Sequence, residues 1–358
     1  MIIKVQIMMN SNVQKFRVGI VGCGRIGSLL EKDPLREKPC THAAAISYHP
    51  ELEIVSACDF NKDRIVQFGK DWSITSLYDN YLDMFEDIKP DIVSVAAWSK
   101  YHKEIVCSAL DYGVKGIYCE KPIAGTLKDA QEMVSRCREM NVKLLVGHER
   151  RYHHNYIKTK EIISNGEIGE IKTIIGFTQC GAPPKLPIKE YYGGPIFHDG
   201  THLIDIMRFF SGEIYSVYGK VERSFDKDHL EHTAHAILKF HNGATGFIEG
   251  GGEKGYFRFE VDIQGTLGRI VIGNDQIKLY RIENSKRFTD YKELVEYPLP
   301  RIDKENPFIN AFSDLVKSIK TGKEPISSGI DGERVIEVIY GIYESSNKGF
   351  TEIILNSK

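Results

Sequence analysis

The sequence predicts an α/β chain in two parts: a doubly wound parallel sheet over residues 16–146, then, over 147–358, an α/β domain with a large open, mostly antiparallel sheet. Three observations predict this. A β-branched run, Phe16-Arg17-Val18-Gly19-Ile20-Val21, feeds straight into Gly22-Cys23-Gly24-Arg25-Ile26-Gly27. Strand-like and helix-like segments then alternate as far as Val146, the pattern of parallel strands joined by helical crossovers. Beyond Gly147 longer alternating strands follow one another with short connections.

Gly-x-Gly-x-x-Gly between a strand and a helix is the turn that holds a pyrophosphate in a dinucleotide-binding (Rossmann) unit. Gly22 permits the turn, Gly24 lets the backbone approach the phosphates, and Gly27 lets helix and strand pack closely. Arg25 and Ile26 complete the loop, and the helix-end N–H groups face the negative charge. A glycine-rich turn made only for packing is the plainer alternative. The next strand, Leu52-Glu53-Ile54-Val55-Ser56-Ala57-Cys58-Asp59, ends in an acid where a ribose 2′-hydroxyl would sit, which favours NAD. Asp59 lies 32 residues after Gly27, more than the usual ~20. Lys62 and Arg64 leave NADP open, and Asp59 could instead serve as a turn or helix-capping residue.

Taken in order, residues 1–15 form either an edge strand or a loose tail. The first helix is interrupted over 31–41, where Pro34 and Pro39 break helical hydrogen bonding. This insertion either covers the cofactor or, the favoured reading, is a surface loop. An Ala-rich helix at 42–49 precedes the Asp59 strand. Strands at 91–97 and 116–120, an amphipathic segment at 103–112, a helix at 127–140 and a strand at 142–146 complete the first domain. Ligands of such sheets bind at the carboxyl ends of the strands, where Trp98, His102, Glu120 and Lys121 fall. The second domain reads as strands at 171–180, 214–221, 234–240, 244–249, 257–264 and 268–272. Helices at 307–320 and 332–347 pack back on the first domain or on the sheet.

A formal net charge of −2 on 358 residues, with no basic face, argues against nucleic acid or a membrane as partner and for a small molecule. The seven cysteines lack Cys-x-x-Cys or other metal-ligand spacing and read as buried reduced thiols. Residues 1–10 lack the apolar region of a signal peptide, and no run reaches a membrane-spanning ~18 to 20 apolar residues. Cytoplasmic placement is the expectation.

Two stretches carry chemistry. Lys121, in Cys119-Glu120-Lys121-Pro122, ends a buried strand and points a cation at the crevice, where it can stabilise an alkoxide or polarise a carbonyl. A surface lysine paired with Glu120 is the plainer alternative. In the stretch from Tyr191 to Asp205, a helix beginning near His198 would set His198, His202 and Asp205 on one face. Two imidazoles there can relay protons. Metal binding lacks a third ligand, and a helix start stabilised by Asp199 over satisfied core histidines is the other alternative.

These residues resemble the Gfo/Idh/MocA oxidoreductases, the group of glucose–fructose oxidoreductase and inositol dehydrogenase. The resemblance rests on the glycine turn, the Asp59 strand, Glu120-Lys121-Pro122, Gly147-His148-Glu149-Arg150-Arg151-Tyr152, the Gly193-Gly194 to Asp205 motif, Ile263-Gln264-Gly265-Thr266-Leu267-Gly268 and Asp331-Gly332. It implies an NAD-dependent dehydrogenase or reductase of a sugar, sugar derivative or cyclitol. Lys121 matches the catalytic lysine and His202 the usual acid/base. Arg150 matches a substrate contact, with Tyr256 and Asp199 beside it, and His102 and Glu120 match nicotinamide-side positions. The resemblance also implies a homodimer or homotetramer formed through the second sheet. Two departures stand out: His198 where the family usually has aspartate, with Asp199 shifted by one, and Trp98 where relatives usually turn on a proline. Trp98 could stack near the nicotinamide or wedge the crevice. Within the family, an enzyme that uses bound NAD transiently and a cofactor-binding regulator are the alternative functions. Arg150, Arg151 and Arg223 could meet a phosphate or nucleotide-sugar, or form surface or interface ion pairs.

Overall fold

The computed structural model describes residues 14–179, 193–223, 231–251, 254–274 and 276–356. Residues 1–13, Cys180 and Tyr191-Tyr192 lie outside them. The first half alternates as the sequence predicts: β1 (Phe16–Val21), α1 (His42–Tyr48), β2 (Leu52–Cys58), α2 (Lys62–Trp72), β3 (Leu77–Tyr78), α3 (Tyr81–Ile88), β4 (Ile92–Val95), α4 (His102–Leu110), β5 (Gly116–Cys119), α5 (Leu127–Glu139) and β6 (Lys143–Val146). The six strands are parallel in the order β3-β2-β1-β4-β5-β6. Connections cross between β1 and β4, so the chain changes direction across the sheet there and opens a crevice at the strand ends. Every residue of β4, β5 and β6 is buried, which is why these strands read as largely apolar runs, interrupted by Ser94 and Lys143.

The helix expected straight after the glycine turn is only one turn long. The Ser28 N–H donates to the Gly24 carbonyl, a 3₁₀ segment follows at Leu29–Lys32, and the chain then leaves the helical path. Helix α1 takes that path up again. Its His42 and Ala43 N–H groups donate to the Ile26 and Gly27 carbonyls at 3.1 and 3.0 Å, as the next turn of an unbroken helix would. The insertion is thus a side excursion from one helix. It packs against α2 through Lys32 and Asp71, 2.6 Å apart, and against the start of α9 through the Asn306 amide on the Pro39 carbonyl, 2.7 Å.

The second half contains α6 (His154–Ser164), β7 (Ile171–Gln179), α7 (Pro195–His198), α8 (Gly200–Ser211), β8 (Ile214–Arg223), β9 (Glu231–Phe240), β10 (Thr245–Gly251), β11 (Arg258–Gly265), β12 (Gly268–Gly273), β13 (Gln276–Asn284), β14 (Lys292–Tyr297), α9 (Pro307–Thr321), α10 (Gly329–Asn347) and β15 (Ile353–Ile354). These strands form one nine-stranded sheet, β14-β13-β12-β11-β7-β10-β9-β8-β15, antiparallel except where β7 meets β10. Strands β13, β14 and β15 were not anticipated. Their charged or exposed residues, such as Lys292, Glu293 and Glu296 in β14, suit a sheet margin and give little apolar alternation to read. Helix α8 lies close on the inner face because Gly176 leaves room: a Cβ there would stand 2.7 Å from Leu203 and 2.9 Å from Met207. No helix among the described residues is long and apolar enough to cross a membrane.

The two late helices pack as expected, and α9 joins the core of the first sheet. Its Phe312 and Leu315 are fully buried in one cluster with Val18, Ile20 and Tyr118, and the Phe312 ring lies 4.7 Å from that of Tyr118. Phe312→Ala should therefore destabilise the protein by about 3–5 kcal/mol, read as a lowered urea midpoint with unchanged m-value.

Candidate active site

The glycine turn separates three roles. Gly22 has φ of +102°, and a Cβ on it would lie 2.6 Å from the Ala96 backbone. A Cβ on Gly27 would lie 2.1 Å from the Gly22 carbonyl oxygen, so both glycines are demanded by the protein itself. Gly24 is different: its Cβ would meet only a nitrogen of Arg64, at 3.9 Å. A cradle whose middle glycine faces open space fits a bound phosphate group. Arg25 is exposed and Ile26 half-buried at its rim. Asp59 is buried beside it, with one carboxylate oxygen accepting from the Cys23 N–H at 2.9 Å and the other from the Asn61 N–H at 2.8 Å. It therefore serves as a turn residue that also stands against the phosphate loop.

At the ends of β4 and β5 lies a buried polar floor. The Glu120 carboxylate contacts His42 Nε2 at 2.9 Å, and His42 Nδ1 contacts Ser94 Oγ at 2.7 Å. Burial pushes the Glu120 carboxyl up, but the His42 hydrogen bond and the charges of His42 and Lys121 outweigh it and hold the group below its ordinary range. His102 is wholly buried, with its ring nitrogens against the carbonyls of Ala97 (3.0 Å) and Pro122 (3.0 Å). Its ring thus lies between the exits of β4 and β5, at the crevice. Trp98, half-buried, opens the 3₁₀ turn Ser99–Tyr101 directly beyond β4.

Lys121 leaves β5 toward the second domain, its side chain 14% exposed. Its ammonium donates to the His198 carbonyl at 3.0 Å and stands 4.0 Å from Asp199. That carbonyl is available because the helix breaks between α7 and α8. The His202 N–H donates to the Asp199 carbonyl at 3.1 Å, leaving the His198 oxygen for Lys121 and for the Thr201 hydroxyl at 2.9 Å.

The helix expected to begin near His198 begins instead at Gly200, so His202 and Asp205 share α8, three residues apart, while His198 lies just before it in α7. His198 ends α7, with Nδ1 3.1 Å from Asp199. Asp205 is held instead by Arg151, at 2.8 and 2.7 Å, with His148 at 3.4 Å. His202 is buried, and its Nδ1 lies 3.3 Å from Glu149, in charge contact but out of line for a hydrogen bond. Burial, then the charges of Lys121 and Arg150, hold its imidazole well below the ordinary range, so it is neutral at pH 7. Glu149 shifts the other way: burial raises it against the pull of Arg150 and Lys121.

Glu149 and His148 were missed as site residues; only the run Gly147 to Tyr152 had been noticed. Arg150 pairs with Glu149 at 2.8 Å and stacks 3.8 Å over the Phe259 ring, which sets its guanidinium beside the cluster. Tyr256 is 53% exposed before β11 and stands apart from the buried group. Arg223 lies 5.8 Å over the Tyr343 ring. Beneath the site, Arg151 also contacts Asp331 at 3.0 Å, and Arg208 joins Asp331 to Glu213. This buried network fastens α8 and α10 under His202.

Comparison with known proteins gives the same outline. Residues 16–148 match the model of the "Oxidoreductase family, NAD-binding Rossmann fold" and residues 156–271 that of the "GFO/IDH/MocA C-terminal domain". The chain is 26% identical over 338 residues to the myo-inositol 2-dehydrogenase of Thermotoga maritima, covering 92% of this chain and 96% of that protein. It is 27% identical over 338 residues to the scyllo-inositol 2-dehydrogenase (NAD(+)) of Bacillus subtilis, covering 90% and 91%. The structure of levoglucosan dehydrogenase in complex with NADH and L-sorbose shares the fold, with TM-score 0.79 and 20% identity over 96% of this chain and all of that one.

The network under the site makes a stability prediction. Burial raises Asp331, but Arg151, Arg208 and its Ser328 contacts hold its carboxyl below the ordinary value. Its contribution is therefore present above about pH 4 and lost as pH falls through the lowered folded value. Arg151→Met leaves two buried carboxylates short of their cation and should cost about 3–5 kcal/mol at pH 7. Urea midpoints from pH 7 to pH 3 should show the variant losing less on acidification than the wild type.

Proposed function

The chain belongs to the GFO/IDH/MocA oxidoreductase family, and from that premise we propose that it is an NAD-dependent dehydrogenase or reductase of a sugar, sugar derivative or cyclitol. The observation that carries this reading is a mostly shielded ammonium, Lys121, at the exit of β5, held on the His198 carbonyl and Asp199, whose charge also lowers the buried neutral imidazole of His202. NAD would lie along Gly22, Gly24, Arg25, Ile26 and Gly27, with Asp59 toward its ribose and Trp98, Glu120 and Lys121 toward its nicotinamide. When bound it supplies the hydride acceptor, or in reverse the donor.

In oxidation, His202 accepts the hydroxyl proton while Lys121 donates a hydrogen bond to the same oxygen and stabilises the developing alkoxide. In reduction the imidazolium returns the proton. Burial suits both groups, because a charge interaction shielded from water is stronger. Arg150 is braced by Phe259 and Glu149 and fits a hydroxyl-rich ligand, with His198 and Asp199 at the mouth and Tyr256 reaching it on closure. The chain's relatives named for inositol support that substrate class. We further take the protein to work in the cytoplasm as a homodimer or homotetramer joined through the second sheet. Exposed Phe247, Leu294 and Val295 support the sheet contact.

The test follows nicotinamide absorbance, with NAD and NADP separately, across free sugars, cyclitols, sugar acids and nucleotide-sugars. Turnover with NAD and one substrate group is expected. Turnover with NADP alone overturns the cofactor reading, and a flat panel from a protein that binds NADH overturns the simple dehydrogenase. Lys121→Met should lower kcat by at least about a hundredfold while NADH affinity stays near normal.

The glycines give an independent check. Gly24→Ala should fold within about 0.5 kcal/mol of wild type yet bind NADH at least tenfold more weakly. Gly22→Ala, which forces a Cβ into the Ala96 backbone, should lose stability as well.

A further inference from the structure

We propose that Glu149 is the positioning residue of His202: its carboxylate fixes the imidazole as the Nδ1–H tautomer, so that Nε2 is the nitrogen offered to substrate. The inference deepens the catalytic reading above and rests on it for its kinetic part. Five acidic or imidazole neighbours could have taken His202 Nδ1, and four are committed elsewhere. His148 sets its own Nδ1 3.2 Å from the Ser327 hydroxyl and 3.4 Å from Asp205. His198 ends α7 with its own Nδ1 3.1 Å from Asp199. Asp199 faces that imidazole and Lys121. Asp205 is held by Nε and Nη2, one edge of the Arg151 guanidinium. The Glu149 carboxylate alone stands at 3.3 Å from Nδ1.

Glu149 is itself placed for this. It opens the 3₁₀ turn Glu149–Tyr152 directly after β6, and one of its oxygens is fixed by Arg150 at 2.8 Å. The other is left toward His202. The buried Nδ1 is out of line for a hydrogen bond in this state. Catalytic hydrogen bonds are often long before substrate binds and tighten in the complex. Beside the pair stand Lys121, Arg150, Glu120, His148 and His198. The cations disfavour an imidazolium on His202, and the Glu149 carboxylate is the acid that stands within 3.3 Å of its Nδ1. When the substrate O–H bond breaks, its proton goes to Nε2. Bound NAD would supply the acceptor for the hydride that leaves carbon as the oxygen electrons form the carbonyl, and the positive charge on the His202 ring would appear against Glu149.

The experiment compares wild type, Glu149→Met, Glu149→Gln and Glu149→Asp, with unfolding midpoints establishing that each is folded. Nitrogen resonances of ring-labelled histidines at pH 8 report which nitrogen of His202 carries the proton, the signal being assigned by its loss in His202→Gln. Wild type and Glu149→Asp are expected in the Nδ1–H form, with Glu149→Met moving toward Nε2–H. A wild type protonated on Nε2, or a Glu149→Met protein unchanged from wild type, overturns the proposal. This readout needs no substrate, so it stands or falls apart from the dehydrogenase reading. With a substrate from the absorbance panel, Glu149→Gln should lower kcat at least about tenfold at near-constant KM, with partial rescue by Glu149→Asp. The low-pH limb of kcat/KM should move down by about one unit. An unchanged limb and kcat would likewise overturn it.

Discussion

A lysine ammonium withdrawn from water is the constraint on which the arrangement of this protein turns. A cation that deep is tolerated only where polar partners replace the lost hydration. The partner for Lys121 is a main-chain carbonyl, and a helix normally keeps its carbonyls to itself. Breaking the helix between α7 and α8 frees the His198 oxygen and delivers it across the domain boundary. The break needs a firm start to α7, and Glu231 provides it by accepting from the Gly194 and Ile196 N–H groups. A side chain on Gly194 would lie 1.9 Å from the Glu231 carbonyl oxygen, so that turn admits only glycine.

Within α8, His202 and Asp205 are three residues apart, near neighbours on the helix surface. Asp205 is nevertheless taken by Arg151, which offsets the burial of its charge. That ion pair then recruits Asp331 from the start of α10 and Arg208 from α8 itself. The result is a rigid charged layer under a neutral imidazole. His148 sits between the layers, its ring centre 6.2 Å from that of His202 and its Nδ1 3.2 Å from the Ser327 hydroxyl.

What could be read in the sequence is what depends on neighbours in the chain. Residues 16–27 announce a strand and a phosphate turn because strand, glycine spacing and turn are all local. The ends of β4 and β5 could be located because burial on both faces makes those strands plainly apolar, and that placed Glu120 and Lys121 at the crevice. Glu149 could not be read this way. It sits in a short turn without periodicity beside two arginines, and its partner His202 belongs to another element. His102 could be placed at the crevice from its position beyond a strand end, but its contacts with the carbonyls of Ala97 and Pro122 could not, because no side-chain pattern reveals them. Strands β13 and β14 escaped because marginal strands with solvent-exposed faces carry charges in place of an apolar alternation.

The late position of Asp59 shows where counting residues misleads and distance decides. A spacing of about 20 between the last glycine and the acid assumes one uninterrupted helix between β1 and β2. Here residues 33–41 leave that helix after one turn and return to it at His42, whose N–H groups rejoin the carbonyls of Ile26 and Gly27. Because the helix resumes on its own axis, β2 starts where it would have started without the excursion. Loop closure costs grow slowly with length, so an excursion of this kind is cheap once its ends are fixed in register. The Cys23 N–H then meets the Asp59 carboxylate at 2.9 Å. An acid held against the glycine loop at that distance occupies the same place whatever the number of residues between them.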